Sequence, residues 1–249
     1  NVQLNCGPNG PNAAYGTWNG TASNLGMPNG VILTTGYASN AIGPNNSGSQ
    51  TGSNNSTFSD PQLTAISPSA TNDPCIFEFD VVPHCNQISL RFVFGSEEYP
   101  EYVNSGFNDA FGFFVTGPGG PNCSANFFSN TNIAVLPNGT PMAINSVNNG
   151  NPGFGCPAVL PGPCNNCAYY TNNCGCVAPN CIQYDGFTTA VTVTLNVCAC
   201  QTYHWKFAIA DAGDWSFDSG IFLDYLNSCG SPLVYNLTSQ PAVCSCNGS

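Results

Sequence analysis

The sequence predicts an all-β protein, an antiparallel β-sandwich of the jelly-roll type with long disulfide-linked loops and little helix. Short runs of β-branched and aromatic residues recur along the 249 residues, and Gly, Pro and Asn separate them. Several runs alternate apolar and polar residues, as half-buried strands do, whereas helical signals do not recur. The chain also holds fifteen cysteines, which is typical of a domain that is linked by disulfides in an oxidising, extracellular location.

Eight segments are predicted to be strands, and their spacing and Gly/Pro boundaries indicate a sandwich. In the second segment, Phe77 and Phe79 fall on one face while Glu78 lies on the other. The sixth segment has the same two-residue period, with valines and a leucine on one face and threonines on the other. In chain order the eight are Val31–Thr35, Ile76–Val82, Ile88–Phe94, Ala110–Val115, Ile133–Leu136, Thr188–Val197, Tyr203–Ala210 and Gly220–Leu226.

Three segments interrupt this pattern and set the domain organisation. Gly43–Ser59 is polar and of low complexity, which predicts a long surface loop. The insertion at residues 150–181 is rich in Pro, Gly and Asn and holds six cysteines, so we expect its own disulfides to hold it rather than a core. We therefore predict a β-sandwich domain over residues 1–228. Residues 229–249 are predicted to be a linker and a strand, Leu233–Thr238, that joins a neighbouring module or subunit.

Several features favour self-association into a homo-oligomer or filament. Charged residues make up only 6% of the chain, against about 25% in ordinary globular proteins, although the net charge of −11 supplies some repulsion. The odd number of cysteines leaves at least one for a free thiol or an intermolecular bridge. Val2–Leu4 alternates as a lone short strand with no evident partner. It and the C-terminal strand could each extend the sheet of a neighbouring copy.

The composition excludes two classes of partner. Arg91 and Lys206 are the only Lys or Arg residues, so no basic surface can neutralise a phosphate backbone or attach to an anionic membrane. No stretch approaches the roughly 20 apolar residues that a spanning helix requires. We therefore expect neither nucleic-acid binding nor direct membrane insertion.

The cysteines are predicted to form disulfides. A zinc site is the alternative, because C-x-x-C is a spacing of zinc ligands. Most of the close pairs are C-x-C instead, the two histidines stand apart from them, and the Gly/Asn/Pro-rich surroundings suit a disulfide-linked loop. The candidates in close pairs are Cys164, Cys167, Cys174, Cys176, Cys198, Cys200, Cys244 and Cys246.

Acidic residues are concentrated in two windows of the sequence. Seven of the thirteen carboxylates lie in Ser96–Asp109 and Asp211–Gly220. Carboxylates that converge and are partly buried must be paired, protonated or bound to a metal, and two cationic side chains are too few to pair them. A hard divalent cation, Ca²⁺, is therefore the predicted cofactor. The candidate ligands are Glu97, Glu98, Asp109, Asp211, Asp214 and Asp218.

Alternatives to a single calcium site remain open at this point. The windows lie roughly a hundred residues apart, so a shared site requires the fold to bring two loops together, and two separate sites are the alternative. A solvated acidic loop without any ion is the simplest alternative. The spacing of the aspartates does not have the order of an EF-hand loop.

The segment FVFGSEEYPEYVNSGFNDAFGFFVTGPG (Phe92–Gly119) resembles the choice-of-anchor L domain, a family of exported bacterial cell-surface proteins. The resemblance covers residues 1–228, although the cysteine-rich insertion is larger than the family leads us to expect. It implies export and attachment to a surface, often within large adhesin-like proteins, rather than a defined reaction, and it favours bound calcium. Further segments that resemble the family, in its order, are Asn24–Asn46, Thr71–Asp80, Asn132–Asn148, Tyr184–Val193 and Cys200–Asp224.

We therefore expect a non-enzymatic extracellular module of the bacterial cell surface, structural or adhesive, that assembles with copies of itself into a filament or array. Catalysis by paired carboxylates, as in glycosidases, has no signal that fixes the separation of the two groups. The main alternative is a calcium-dependent, lectin-like adhesin domain that binds surface glycans. Its aromatic candidates, which could equally be packing residues, are Trp18, Tyr99, Tyr102, Tyr169, Tyr170 and Trp215.

Overall fold

The computed structural model describes residues 2–56, 58–150, 156, 163–177, 180–229 and 231–232. Within these ranges the chain forms fourteen strands, one α-helix, α1 (Pro61–Ile66), and two 3-10 helices, Ala38–Ala41 and Cys167–Tyr169. The strands are β1 (Val2–Asn5), β2 (Tyr15–Asn19), β3 (Asn29–Thr34), β4 (Ala70–Val81), β5 (Gln87–Ser96), β6 (Ala110–Gly119), β7 (Ser124–Asn132), β8 (Tyr170–Asn172), β9 (Gly186–Thr188), β10 (Val191–Asn196), β11 (Tyr203–Ala212), β12 (Ser219–Leu223), β13 (Asn227–Ser228) and β14 (Ser231–Pro232).

The strands pair into two antiparallel sheets, which confirms the predicted all-β class. The first sheet has the order β1-β4-β11-β6-β7. The second has the order β14-β13-β5-β12-β3-β2, and β9 and β10 also pair with β5 while β8 pairs with β9. Strands distant in the chain, such as β4 and β11, are therefore direct neighbours in a sheet.

Aromatic side chains form the core between the sheets. Phe113 of the first sheet contacts Phe92 of the second with ring centres 4.8 Å apart, and Phe207 with ring centres 4.7 Å apart. The predicted alternation of β4 is confirmed, because Phe77 and Phe79 both pack against this core. Each fully buried side chain of this size contributes about 1.5–3 kcal/mol through removal of apolar surface from water.

Part of the outer face of each sheet is also covered. Helix α1 packs on the first sheet through Leu63, which is fully buried among the alanines of β6 and β11. The helix begins where it does because Asp60 accepts hydrogen bonds from the backbone N–H groups of Gln62 and Leu63, and Pro61 fits the first turn. On the second sheet, Tyr184 and Ile182 cover the outward side chains of β3, β5 and β12.

Some predicted strands are corrected. The sequence predicts Val2–Leu4 to be a strand without a partner, but it belongs to β1 and pairs with β4 of the same chain, for example Leu4 with Phe77. Residues 133–136 form no strand, because the side chain of Asn132 accepts the N–H groups of Phe113 and Ala134 and turns the chain there. The apolar residues of this segment are still buried in the core, but as part of a loop. The predicted strand at residues 188–197 corresponds to β10, and its first residue belongs to a separate strand, β9, which pairs with a different part of β5.

Six disulfides are seen among the described residues, which confirms the prediction of disulfide bonds. Three of them lie within the predicted insertion at residues 150–181. Of the candidates, Cys164 and Cys167 bond each other, whereas Cys174, Cys176 and Cys198 bond cysteines outside the close pairs, and Cys200 is also disulfide-bonded. The six bonds are Cys6–Cys75, Cys85–Cys229, Cys123–Cys198, Cys156–Cys174, Cys164–Cys167 and Cys176–Cys181.

Two predictions concern residues outside the described ranges. Cys244 and Cys246 lie there, as does the proposed strand Leu233–Thr238. The domain boundary at residue 228 therefore stays a prediction.

Candidate functional site: a buried carboxylate cluster

The two acidic windows meet at one end of the sandwich because of the strand order. Antiparallel pairing of β6 with β11 sets Ala110 opposite Ala210, so the start of β6 lies beside the end of β11. Antiparallel pairing of β5 with β12 sets Ser96 opposite Ser219 in the same way. The candidate ligands flank or end these four strands, and the fold therefore collects them.

Hydrogen bonds join the two windows directly. Asp109 Oδ1 accepts the backbone N–H of Ala212 at 2.8 Å, and its Oδ2 accepts the Ser219 hydroxyl at 2.7 Å. The backbone N–H of Glu97 donates to the carbonyl of Asp218 at 3.0 Å. Residues roughly a hundred positions apart in the sequence thus belong to one carboxylate cluster, as a shared site requires.

Five of the six candidates are almost completely buried. The exposed fraction is 0% for Glu97 and Asp109 and 1% for Glu98, Asp211 and Asp218. The sixth candidate, Asp214, is half-buried in the loop between β11 and β12, where its Oδ1 accepts the N–H of Ser216 at 2.9 Å. This burial excludes the simple alternative of a solvated acidic loop for these five residues.

Two further aspartates that the windows did not contain are buried beside the cluster. Asp185, immediately before β9, is 0% exposed, and its Oδ1 accepts the side-chain amide of Asn45 at 2.8 Å. Asp73, in β4, is also 0% exposed and accepts the Ser53 hydroxyl at 3.0 Å. Both lie outside the two acidic windows, Asp73 in the segment Thr71–Asp80 and Asp185 in the segment Tyr184–Val193, so the clustering that identified the windows could not reveal them. Glu101, inside the first window, also lies near this group.

The segment Gly43–Ser59 crosses the cluster, which corrects its interpretation as a surface loop. The backbone N–H of Gln50 donates to Glu97 Oε2 at 3.2 Å, and that of Gly52 donates to Asp218 Oδ1 at 2.9 Å. Asn45, Gly52 and Asn54 of this segment are buried. The side chains of Asn45, Ser53 and Asn54 donate hydrogen bonds to protein groups, so the polar composition of this segment does not make all of it solvent-exposed.

Several oxygens of the cluster are buried without a hydrogen-bond donor. A buried acceptor without a partner costs about 1–3 kcal/mol, and more when it is charged. Both carboxylate oxygens of Asp211 are in this position. The other such oxygens near the cluster are Glu97 Oε1, Glu98 Oε2, Asp73 Oδ2 and Asp185 Oδ2.

Neither of the two cationic side chains neutralises the cluster. Arg91 pairs with Asp224, with 2.7 Å between Nη2 and Oδ2. Lys206 pairs with Asp60 at the start of α1, on the outer face of the first sheet. The negative charge of the cluster therefore has no counter-charge from Lys or Arg.

Burial without a counter-charge raises the pKa values of the cluster. Burial raises the pKa of Glu97 to about 9, with help from the charges of Asp185 and Asp218. Burial likewise raises the pKa of Glu98 to about 10, and the nearby charge of Asp109 adds to the effect. The pKa of Asp211 lies well above its ordinary value for the same reason, burial first and then Asp109.

The pKa values of the aspartates that accept hydrogen bonds are raised less. Burial raises the pKa of Asp109 to about 7, and bonds from Ser219 and Ala212 oppose the shift. The pKa values of Asp218 and Asp185 also rise to about 7, mainly through burial. At neutral pH the cluster consequently holds protons unless a cation replaces them.

The spacing of the ligand atoms limits what the cluster can hold. Within the described ranges, the only three acidic, histidine or cysteine side chains with ligand atoms all within 4.8 Å of one another are Cys156, Cys174 and Asp185. Cys156 and Cys174 form a disulfide, so this group is not a zinc site. The carboxylates are therefore spread over a region wider than the shell of one ion.

Comparisons with known proteins give one result. A search of curated proteins and a search of solved structures found no similar chain. No helix among the described residues has the length and apolar character needed to cross a bilayer. The family model of the choice-of-anchor L domain matches residues 1–227, which is nearly the whole chain and includes every described strand except β14 and the last residue of β13. The chain therefore belongs to the choice-of-anchor L domain family, which implies a module exported to the cell surface.

Proposed function

We propose that this chain is a non-enzymatic structural or adhesive module of the cell surface, whose sandwich is stabilised by Ca²⁺ in the carboxylate cluster and which assembles with copies of itself into a filament or array. One observation carries the calcium part. Oxygens of Glu97, Glu98 and Asp211 are buried without donors, although no Lys or Arg neutralises them. A hard cation supplies the missing positive charge and accepts carboxylate and carbonyl oxygens in irregular loops.

The same burial supports a role without catalysis. Paired carboxylates that hydrolyse a glycosidic bond must contact a sugar and a water molecule. Glu97 and Glu98 are 0% and 1% exposed, so a substrate has no path to their oxygens. Holding an ion and joining chain segments requires no such access.

The calcium part is tested by thermal unfolding with Ca²⁺ and with excess EDTA. Ligand at 100 times its Kd stabilises the folded state by about 2.7 kcal/mol, which corresponds to a shift of about 5–10 °C for a domain of this size. We expect the melting temperature to rise by this amount with Ca²⁺. An unchanged melting temperature would contradict a structural calcium ion.

The surface of the first sheet supports the assembly part. Strand β1 lies at its edge, and Val2 and Leu4 are 55% and 43% exposed there. Strand β7 lies at the other edge, with Phe127 54% exposed. Edges that lack charged side chains are templates for strand addition, and these two strands contain no charged residue.

Assembly is tested by sedimentation velocity and electron microscopy of oxidised, calcium-loaded protein at high concentration. We expect oligomers or filaments, and we expect Val2→Lys with Leu4→Lys to weaken them because charge blocks an edge. Val177→Lys is the matched control, since Val177 is 78% exposed and lies outside every strand. A wild-type protein that stays monomeric overturns this part of the proposal.

A lectin-like adhesin is the second candidate, and one cavity favours it. A cavity of about 490 Å³ on the outer face of the second sheet is lined by Trp18, Phe222 and Ile32 together with Asn19 and Ser39. None of its lining residues is charged, and an aromatic floor with amide and hydroxyl groups suits a neutral sugar. Of the other aromatic candidates, Tyr99 is 0% exposed and is a packing residue that donates to the carbonyl of Val147 at 2.7 Å.

A glycan array with and without chelator tests this candidate. The variant Trp18→Ala should lose sugar binding, whereas Trp215→Ala, at a residue 58% exposed and outside the cavity, should retain it. Because the cavity lining includes none of the clustered carboxylates, binding there should depend on calcium only through stability. Absence of binding to every glycan removes the candidate.

A further inference from the structure

We propose that the carboxylate cluster binds two Ca²⁺ ions at separate positions, an inference that rests on the calcium part of the proposed function. The first, the inter-sheet position, lies beside Glu98, Asp109 and Asp214. Glu98 follows β5 of the second sheet, and Asp109 precedes β6 of the first. An ion here joins the two sheets at the end of the sandwich.

The second, the loop position, lies beside Glu97, Asp185 and Asp218. Asp218 precedes β12, and Asp185 precedes β9, at the point where the chain returns from the cysteine-rich insertion. The loop Gly43–Ser59 closes over this position through the hydrogen bond from Gln50 to Glu97. An ion here attaches the loop and the end of the insertion to the second sheet.

The backbone explains why adjacent glutamates serve different positions. The bond from the N–H of Glu97 to the carbonyl of Asp218 continues the ladder between β5 and β12 past Ser96. Glu98 leaves this ladder, because its N–H donates to the hydroxyl of Ser96 at 2.9 Å instead. The charges of Asp185 and Asp218 accordingly add to the raised pKa of Glu97. The charges of Asp109, Asp214 and Glu101 add to that of Glu98.

The unpartnered oxygens are divided in the same way. Glu98 Oε2 is buried without a donor on the inter-sheet side, and Glu97 Oε1 and Asp185 Oδ2 are buried without donors on the loop side. Asp211 lies between, with electrostatic coupling to Asp109 on one side and Asp218 on the other. Both of its oxygens lack donors, so it can serve either ion or bridge them.

The spacing of the carboxylates also favours two ions over one. Calcium–oxygen distances of about 2.3–2.6 Å place the ligands of one ion within roughly 5 Å of one another. Among the described residues, no three carboxylates of the cluster satisfy this limit. Two ions fit the observed spread, because each then needs no more than two of its three neighbouring carboxylates as direct ligands and takes carbonyl, amide or water oxygens for the rest.

The stoichiometry of Ca²⁺ binding tests the inference directly. Equilibrium dialysis and native mass spectrometry of the whole chain should give two Ca²⁺ per molecule. One ion per molecule overturns the inference and leaves the proposed function intact, whereas no bound ion overturns both.

Single variants then assign the positions. Glu98→Gln and the less buried Asp214→Asn should each reduce binding from two ions to one, and so should Glu97→Gln and Asp185→Asn. Asp80→Asn, on the outer face of β4 beside His204, is the control and should keep two ions. Circular dichroism and the melting temperature in Ca²⁺ establish which variants are folded. Asp214→Asn is the variant least expected to disturb folding, because Asp214 is only half-buried.

Hydrogen exchange separates the two roles. The amides of Gln50 and Gly52 donate to the loop position, so exchange in the peptide that covers residues 43–59 should rise at least tenfold in Glu97→Gln and Asp185→Asn. Exchange in this peptide should stay within twofold of wild type in Asp214→Asn, which should instead show faster exchange at the start of β6, next to Asp109. Equal effects of both classes of variant on the loop, or loss of both ions in each variant, contradict separate positions.

Discussion

At the scale of single residues, Asp60 illustrates how few charges this protein uses and how much each one does. Its carboxylate caps α1 by accepting the N–H groups of Gln62 and Leu63 at 2.9 and 3.1 Å. It also pairs with Lys206, whose side chain is only 11% exposed and lies over the ring of Phe114, 5.5 Å from its centre. One carboxylate therefore both starts a helix and neutralises a buried cation.

We expect Asp60→Ala to lower the free energy of unfolding by about 3–5 kcal/mol, because it leaves the Lys206 ammonium group buried without its counter-ion and removes the cap. Asp60→Asn keeps a capping oxygen and should lose less. Urea denaturation of both variants measures the difference. The expectation is wrong if the alanine variant loses no more than about 1 kcal/mol.

The residue scale also shows the limit of sequence reasoning about the site. Glu97, Glu98 and Asp211 could be found because acidic residues concentrate in two windows of a chain with few cations. Asp73 and Asp185 could not, because each lies outside these windows and reaches the cluster only through strand pairing across the whole domain. Burial, rather than spacing, is what distinguishes them.

At the scale of elements, the strands with a clear apolar period were predictable and the others were not. In β4 and β10 one face packs on the core and the other faces water, so apolar and polar residues alternate in the sequence with a period of two. Strand β7 is an exposed edge in which only Phe128 is buried, so its sequence shows no alternation of apolar and polar residues. The cysteine partners were unpredictable as well, because spacing along the chain does not give distance across it.

The disulfide Cys123–Cys198 joins the β6–β7 turn to the β10–β11 connection across 75 residues. We expect Cys123→Ser with Cys198→Ser to lower the free energy of unfolding by about 4 kcal/mol, because a long loop regains its entropy in the unfolded chain. The pair Cys164→Ser with Cys167→Ser opens a loop of only three residues and should cost about 2 kcal/mol or less. Guanidinium denaturation compares them, and an equal loss in both would argue against the loop-entropy explanation.

At the scale of the whole molecule, protons and Ca²⁺ compete for the same cluster. The ordinary pKa values are 3.8 for Asp and 4.5 for Glu, whereas the folded pKa values reach about 7 for Asp109 and about 10 for Glu98. Between these limits the folded state binds more protons than the unfolded state. Stability without metal is therefore greatest at acidic pH and falls as the pH rises, since the slope follows the difference in bound protons.

We expect the free energy of unfolding in excess EDTA to fall from about pH 5 to about pH 9, by about 1.4 kcal/mol per pH unit for each extra proton that the folded state holds. Saturating Ca²⁺ replaces these protons and should flatten or reverse the dependence. Chemical denaturation at a series of pH values in both conditions measures it. The variant Glu98→Gln, which lacks one of the most shifted groups, should show a shallower fall in EDTA. Identical pH profiles with and without Ca²⁺ would contradict the linkage.

The bond between Cys85 and Cys229 has a consequence for the order in which the domain matures. Its two cysteines are 144 residues apart, and Cys229 comes after every strand that surrounds the cluster. In a chain that is secreted starting from its amino end, Cys85 cannot form this bond until Cys229, near the end of the domain, has also reached the oxidising compartment. In such a chain this bond is the last of the six that can form, because both cysteines of each of the other five bonds precede Cys229.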